Sequence, residues 1–217
     1  MKLQVIIGST RPSRVSDRVA KWVTLEAKYL PDTSVEILDL KDYGLPFLDE
    51  PISPQFNPDR KPNPIAQKWL DKLAEADAYV LVTPEYNRSY SAVLKNALDY
   101  VDFQMAKKPV ALVAHGTTGG AQAVAHLRDV LPGLLAITVP PATYFIGRVS
   151  EMIDGTGKLN EDLMIAPYGP QASLKKMLEA TKWYSDALTA ARATLSLSNP
   201  GSLRTVSKNS GIMLVND

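Results

Sequence analysis

Short apolar runs alternate along this chain with stretches whose apolar positions recur at helical spacing, and that alternation restricts the fold more than any other feature. Leu3 to Ile7 gives way to Gly8-Ser9-Thr10-Arg11-Pro12-Ser13-Arg14, after which Val15, Val19, Trp22 and Val23 mark a helix until Pro31-Asp32. Val35 to Leu40 reads as a second strand. It leads into a stretch from Pro46 through Pro51, Pro54, Pro58 and Pro62 to Pro64, too dense in proline for a helix or a central strand and expected as an irregular surface loop. Ile65, Trp69, Leu70 and Leu73 then predict a helix, Ala78 to Val82 a third strand, and Leu94, Ala97, Leu98 and Val101 another helix. Pro109 to Ala114 is continuously apolar, as a strand covered on both faces should be. Val124, Leu127 and Leu131 lie on the helix that follows, and Leu134 to Val139 supplies a fifth strand before Pro140-Pro141. Strands alternating with helices in this way predict a doubly wound, five-stranded parallel α/β sheet with helices on both faces. A long helix bearing Leu174, Leu178, Trp183 and Leu188 closes a domain over 1–195, and 196–217 reads as a polar C-terminal tail holding one apolar segment, Ile212 to Val215.

Charge excludes several partners. Twenty-four basic against 23 acidic residues leave a net +1, which offers no broad field for nucleic acid or anionic lipid, so an anion site must be local and the partner a small molecule. No cysteine occurs, which removes disulfides, thiolate metal sites and cysteine nucleophiles and agrees with a reducing compartment. No run of about 18 apolar residues is present and no signal segment precedes the first strand, so no membrane association and a cytoplasmic location are expected. The two histidines are not paired at metal-binding spacing, and Asp154-Gly155-Thr156-Gly157-Lys158 places Lys where a calcium loop needs oxygen, so no metal is expected.

Parallel strands end on one side, so the loops after the first, third and fourth strands converge at the carboxyl edge of the sheet. The first, Gly8 to Ser16, meets a helix N-terminus, where free amides and the helix dipole favour an anion, and adds hydroxyls and two guanidiniums. No Gly-Lys-Ser/Thr and no Gly-x-Gly-x-x-Gly occurs there, which disfavours a P-loop and a dinucleotide site and leaves a mononucleotide as the better fit. No Gly-x-Ser-x-Gly elbow is present for a serine hydrolase.

Pro84-Glu85-Tyr86-Asn87, followed by Leu94-Lys95-Asn96-Ala97-Leu98-Asp99-Tyr100, resembles the signature of the NAD(P)H-dependent FMN reductases, flavodoxin-like enzymes that include quinone, azo-dye and chromate reductases. The resemblance covers Lys2 to Val139 and implies a flavodoxin-like strand order of 2-1-3-4-5, FMN as cofactor and NADPH or NADH as reductant. It gives Ser9, Arg11, Arg14 and Ser16, with the amide of Val15, to the FMN phosphate, and lays Pro84, Glu85, Tyr86 and Asn87 beside the flavin ring. His115, Gly116, Thr117, Gly119 and Gly120 then approach its pyrimidine half, although this loop is shorter than the family's Ser-containing version, whose space His115 and Thr117 fill. No side chain is expected to be an essential acid or base: Glu85 more naturally holds its loop by accepting hydrogen bonds, and His115 is more naturally a structural histidine than a proton donor. His126 is expected at the surface.

The implied activity is hydride transfer from NAD(P)H and reduction of a small acceptor, a quinone, azo compound, metal oxyanion or free flavin. Because three loops surround the ring edges, one face stays open and turnover is expected to be ping-pong. The alternatives are a flavodoxin-type electron carrier, disfavoured by the near-neutral charge and the Arg-rich first loop because docking carriers usually rely on a strongly acidic face, and a non-catalytic flavin-binding sensor or interaction protein. A homodimer or homotetramer is expected through the helices after Ser91 and Gly120, which carry Tyr90, Val93, Tyr100, Val101 and Phe103 on one and Ala121, Val124 and Leu131 on the other.

Overall fold

The computed structural model describes residues 1–165 and 167–194. Strands β1 (Lys2–Ile7), β2 (Ser34–Asp39), β3 (Ala78–Pro84), β4 (Pro109–Gly116) and β5 (Ile137–Ile146) form one parallel sheet in the order β2-β1-β3-β4-β5. The helices are α1 (Ser16–Ala27), α2 (Leu40–Tyr43), α3 (Pro64–Ala74), α4 (Ala92–Asp99), α5 (Ala121–Val130), α6 (Val149–Met152), α7 (Glu161–Met164) and α8 (Pro170–Thr194). None of them is long and apolar enough to cross a membrane. The segment 196–217, including the expected apolar stretch Ile212 to Val215, lies outside the described residues.

Successive strand residues face opposite sides, so each strand feeds two cores. Ile6, Leu81, Leu112 and Ala114 pack under α3, α4 and α5 around Trp69. Val5, Ile7, Val80, Val82 and Val113 pack under α1 and α8 around Trp22, whose ring meets Phe145 edge-on at 5.0 Å. Both indoles are fully buried and each satisfies its N–H, Trp22 on Gln171 Oε1 at 3.1 Å and Trp69 on the Ala97 carbonyl at 2.9 Å.

Three expectations change. The fifth strand does not stop before Pro140-Pro141 but runs through them to Ile146, while Leu131 to Leu134 form a one-turn 3-10 helix. Its position at the sheet edge allows this: the strand pairs on one side, and a register shift against β4 between Val110 and Leu112 absorbs residues that cannot donate to a ladder. Trp183 is 66% exposed. The buried stripe of α8 is Leu174, Met177, Leu178, Thr181 and Ser185, at intervals of three and four, and a residue five positions past Leu178 falls off it. Finally, the aromatic and apolar residues offered as surplus for a second subunit are largely inside the chain's own core, with Tyr100, Val101, Val124 and Leu131 no more than 2% exposed.

The proline-rich segment is surface loop as expected, yet firmly held. Asn96 of α4 donates to the Pro46 carbonyl at 2.7 Å and accepts from the Leu48 amide at 3.0 Å. Arg60 bonds Glu50 at 2.6 and 2.8 Å and reaches Asp102 at 3.4 Å, with a side chain only 2% exposed. Glycine decides the start of α5. Gly120 has φ +83°, and a Cβ there would lie 2.5 Å from that of Ala114, so α5 approaches β4 only because this residue has no side chain. Gly120→Ala should therefore lower unfolding free energy by roughly 2 to 4 kcal/mol in urea denaturation, combining overpacking with a left-handed backbone. Gly133→Ala, where an added methyl meets nothing within 4 Å, should change it by less than about 0.5 kcal/mol; equal effects would refute the packing argument.

Candidate cofactor site

The parallel register brings the expected loops together. Ile7 pairs with Val82, Pro84 with His115 and Gly116 with Ile146, so the chain leaves β1, β3 and β4 side by side. Gly8 extends β1 by one more bond, its amide donating to the Val82 carbonyl at 2.8 Å, and a Cβ would meet that same oxygen at 2.9 Å. The Ser91 hydroxyl, in the loop after β3, donates to the Gly8 carbonyl and also accepts from the Leu94 amide to cap α4.

Each candidate in the first loop now has a place. Ser9 is buried, its hydroxyl 3.1 Å from the Tyr86 hydroxyl. Arg14 donates to the Ser9 carbonyl at 2.7 Å and pairs through both terminal nitrogens with Asp39 at the end of β2. Ser16 is fully buried and 2.8 Å from His115 Nε2. Val15 is the N-cap of α1, which begins with no side-chain cap. Arg11 is exposed and has no carboxylate partner among the described residues, its guanidinium lying 5.4 Å from the centre of the Tyr86 ring. The loop therefore separates into groups that shape it, the buried Ser9 and Ser16 and the half-buried Arg14, and others free to take an anion, Arg11 and the first amides of α1.

The second loop is a tight reversal. Tyr86 and Ser89 exchange backbone bonds at 2.8 and 3.0 Å, with Asn87 and Arg88 between them at φ +49° and +69°. Pro84, the last residue of β3, is buried, whereas Asn87 is exposed. Glu85 accepts from the Thr118 hydroxyl at 3.1 Å and the Gln122 amide at 3.0 Å, which caps α5, and its own amide donates to the His115 carbonyl at 2.8 Å. That is the holding function expected of it. His126 is exposed, as expected, and pairs with the Ser89 hydroxyl at 3.0 Å.

In the third loop Thr117 is exposed, Gly116 half-buried and Gly119 and Gly120 buried. The space beside these glycines is occupied by protein: Glu85 at Gly116, Ile146 at Gly119 and Ala114 at Gly120. Their small size serves chain packing as well as any approach by a ring. A cavity of about 480 Å³ opens beside Thr10 between the proline-rich loop and α4, walled by Leu45, Phe47, Ala92 and Val93; it borders the first loop but none of 84–87 or 115–120.

A family model for NADPH-dependent FMN reductases matches residues 1–151. The chain belongs to that family. An NAD(P)H-dependent FMN reductase of Schizosaccharomyces pombe is 34% identical over 168 residues, covering 74% of this chain and 84% of the relative. An FMN-dependent NADPH-azoreductase of Staphylococcus haemolyticus is also 34% identical over 168 residues, covering 75% and 86%. Among solved structures, the flavoenzyme NAD(P)H:(acceptor) oxidoreductase FerB of Paracoccus denitrificans superposes with a TM-score of 0.62 over 87% of this chain and 97% of its own, at 22% identity, a likeness of fold. The fold is flavodoxin-like, and the protein is an FMN-dependent oxidoreductase that uses NAD(P)H as reductant.

The residues present suit FMN. An uncapped helix start and an unpaired arginine match a terminal phosphate. Tyr86 and the backbone at the ends of β3 and β4 offer the aromatic surface and amides that a flavin ring needs. Sequence reasoning missed four contributors: Asp39, which holds Arg14; Ser91, which joins two loops; Thr118, which Glu85 grips; and Asp17. Asp17 Oδ1, on the first turn of α1, is buried without a hydrogen-bond partner, an acceptor suited to a hydroxyl donor. Ser91 had a legible signal, a serine immediately before an apolar helical stripe.

Burial lowers the His115 pKa from its usual 6.5 to about 4, so the imidazole is neutral at ordinary pH. The unfolded chain takes up a proton near pH 6.5 that the folded chain refuses until about pH 4. Stability present above pH 6.5 is thus lost as pH falls toward 4, by up to about 3 kcal/mol. The stability difference between pH 7 and 4.5 should be about 2 kcal/mol larger in the native protein than in His115→Gln; equal differences would show that the imidazole is not buried neutral.

Proposed function

We propose that this FMN reductase passes electrons from NADPH or NADH to a small oxidised acceptor, a quinone, azo compound, metal oxyanion or free flavin, by a ping-pong mechanism. The observation that carries the reading is the meeting of three loops at one sheet edge, with the free start of α1 and Arg11 on the outward side. An azo acceptor draws further support from the Staphylococcus haemolyticus relative. Bound FMN supplies the centre that accepts hydride and returns electrons.

The chain's own groups bind and orient. Arg11, Thr10 and the first amides of α1, including those of Val15 and Ser16, take the phosphate, while Ser9, Arg14 and Ser16 keep that loop in shape through Tyr86, Asp39 and His115. Pro84 to Asn87 and His115 to Gly120 flank the ring, with Thr117 and Asn87 on the exposed side. Glu85 is already engaged by two donors and the His115 Nε2 by Ser16, so neither is free to act as an essential general acid or base. Protons come from solvent, and loop amides stabilise charge on the ring. With the ring edges walled, reductant and acceptor share one open face and must occupy it in turn. The absence of cysteine agrees with work in the cytoplasm. We propose a homodimer or dimer of dimers as well; its best support is the exposed apolar Phe47, Ile52 and Phe56 on the loop clamped against α4. A light-scattering mass near that of one 23.7 kDa chain would contradict it.

Mixing the protein with NADPH under air should consume the nucleotide steadily, and double-reciprocal plots with a quinone should give parallel lines. Intersecting lines would overturn the shared-face mechanism. Arg11→Ala should weaken FMN by roughly 10- to 100-fold, the worth of one charge-assisted hydrogen bond. Glu85→Gln, once saturated with FMN, should lose less than the 10²- to 10⁴-fold expected for a catalytic acid or base; a larger loss would reassign it.

A further inference from the structure

We propose that His115 is a positioning residue for the phosphate end of the cofactor site, acting through Ser16, although its place in the chain is at the head of the glycine-rich loop expected beside the ring. The inference rests on the reading that the Gly8 to Ser16 loop holds the FMN phosphate.

His115 is held from both sides by the sheet. It pairs in register with Pro84 on β3 and Phe145 on β5, and its carbonyl accepts the Glu85 amide at 2.8 Å. The residue is only 6% exposed, so its imidazole has little surface to offer a bound molecule. What it does reach is Ser16, the first residue of α1, with Nε2 2.8 Å from a hydroxyl that is itself fully buried. The N-cap before Ser16 is Val15, whose side chain cannot accept a hydrogen bond, so α1 starts without a side-chain cap. The bond therefore anchors to the end of β4 the first turn of α1, whose leading amides have no acceptor within the helix. A helix terminus binds an anion through the direction of those amides, so its registration against the sheet sets the affinity. Burial keeps the imidazole neutral, and a neutral ring can donate or accept at Nε2, so the link persists with either tautomer.

A ring contact and a phosphate-end role make different demands on flavin binding. Full-length protein freed of cofactor is titrated with FMN and with riboflavin, which lacks the phosphate, and binding is followed by flavin fluorescence. The native protein should prefer FMN strongly. His115→Leu should weaken FMN about 10-fold while leaving riboflavin within about 2-fold, the loss expected of one hydrogen bond's orienting effect. His115→Gln, which places an amide nitrogen near the original Nε2, should restore most of the preference. Ser16→Ala, a small change that tolerates a folding failure at 115, should give the same selective loss, and the double variant Ser16→Ala/His115→Leu no more than either alone. The phosphorus resonance of bound FMN should shift in both single variants. Equal weakening of FMN and riboflavin, additive losses, or an unchanged FMN preference in Ser16→Ala would overturn the proposal. A native protein that binds both flavins equally would instead remove the phosphate reading beneath it.

Discussion

The site depends on the parallel pairing of β1 with β3 and on the single bond by which Gly8 prolongs it. Parallel strands must all be re-entered from the same end, so every strand-to-helix loop leaves from one edge. At that edge the Gly8 amide still follows the ladder, and the carbonyl of the same residue is taken by Ser91. One residue thus joins the loop after β1 to the loop after β3, and a side chain at position 8 would collide with Val82. From this junction the contacts spread outward: Ser9 to Tyr86, Arg14 to Asp39, Ser16 to His115, and Glu85 to the start of α5.

These contacts tie loops from different strands through side chains, and they work only because they are sheltered. The Arg14 and Asp39 side chains are 13% and 16% exposed, so their charges attract at lower effective dielectric than a surface pair and with less loss to salt. A similar logic holds the Arg60, Glu50 and Asp102 cluster beneath the proline-rich loop. Exposed pairs such as Arg148 with Glu151, 81% and 67% exposed, contribute little by comparison. The loops around the site are therefore ordered by partnered polar groups, and a wrong side chain would leave one of these buried groups unpaired.

Much of the fold was legible because period and punctuation agree in it. The runs at Leu3, Val35, Ala78 and Pro109 are bounded by clear breakers, and the helices at Trp22, Trp69 and Leu98 repeat at three and four residues. Proline misled at β5, since a breaker in a central strand is tolerated at an edge that has no second partner, and edge position is a property of the whole sheet. Trp183 misled because a large apolar residue outweighed a one-residue slip in spacing, whereas Thr181 and Ser185, small and polar, fill the crowded face of α8. At the site, the loops were legible as motifs, but the division of labour within them was not. Whether Ser16 faces a ligand or His115 depends on residues 99 positions apart in the chain, and no local pattern encodes that meeting.

That division bears on how chemistry and selectivity are distributed. Of the polar side chains at the loops, the buried Ser9, Ser16, Ser91 and His115 are committed to one another, to Tyr86 or to the Gly8 carbonyl, and Glu85 is fixed by two donors. Outward at the same loops lie Arg11, Arg88, Asn87 and Thr117, with the first amides of α1. A surface of this kind suits an anion and presents few side chains that could recognise the shape of a second molecule. Discrimination by binding requires buried groups that a wrong substrate would leave unpaired, and here Ser9, Ser16, His115 and Glu85 are already paired within the chain, while Asp17 Oδ1 is a buried acceptor still without a partner among the described residues. The side chains that could have conferred selectivity are thus largely spent on holding the loops to one another.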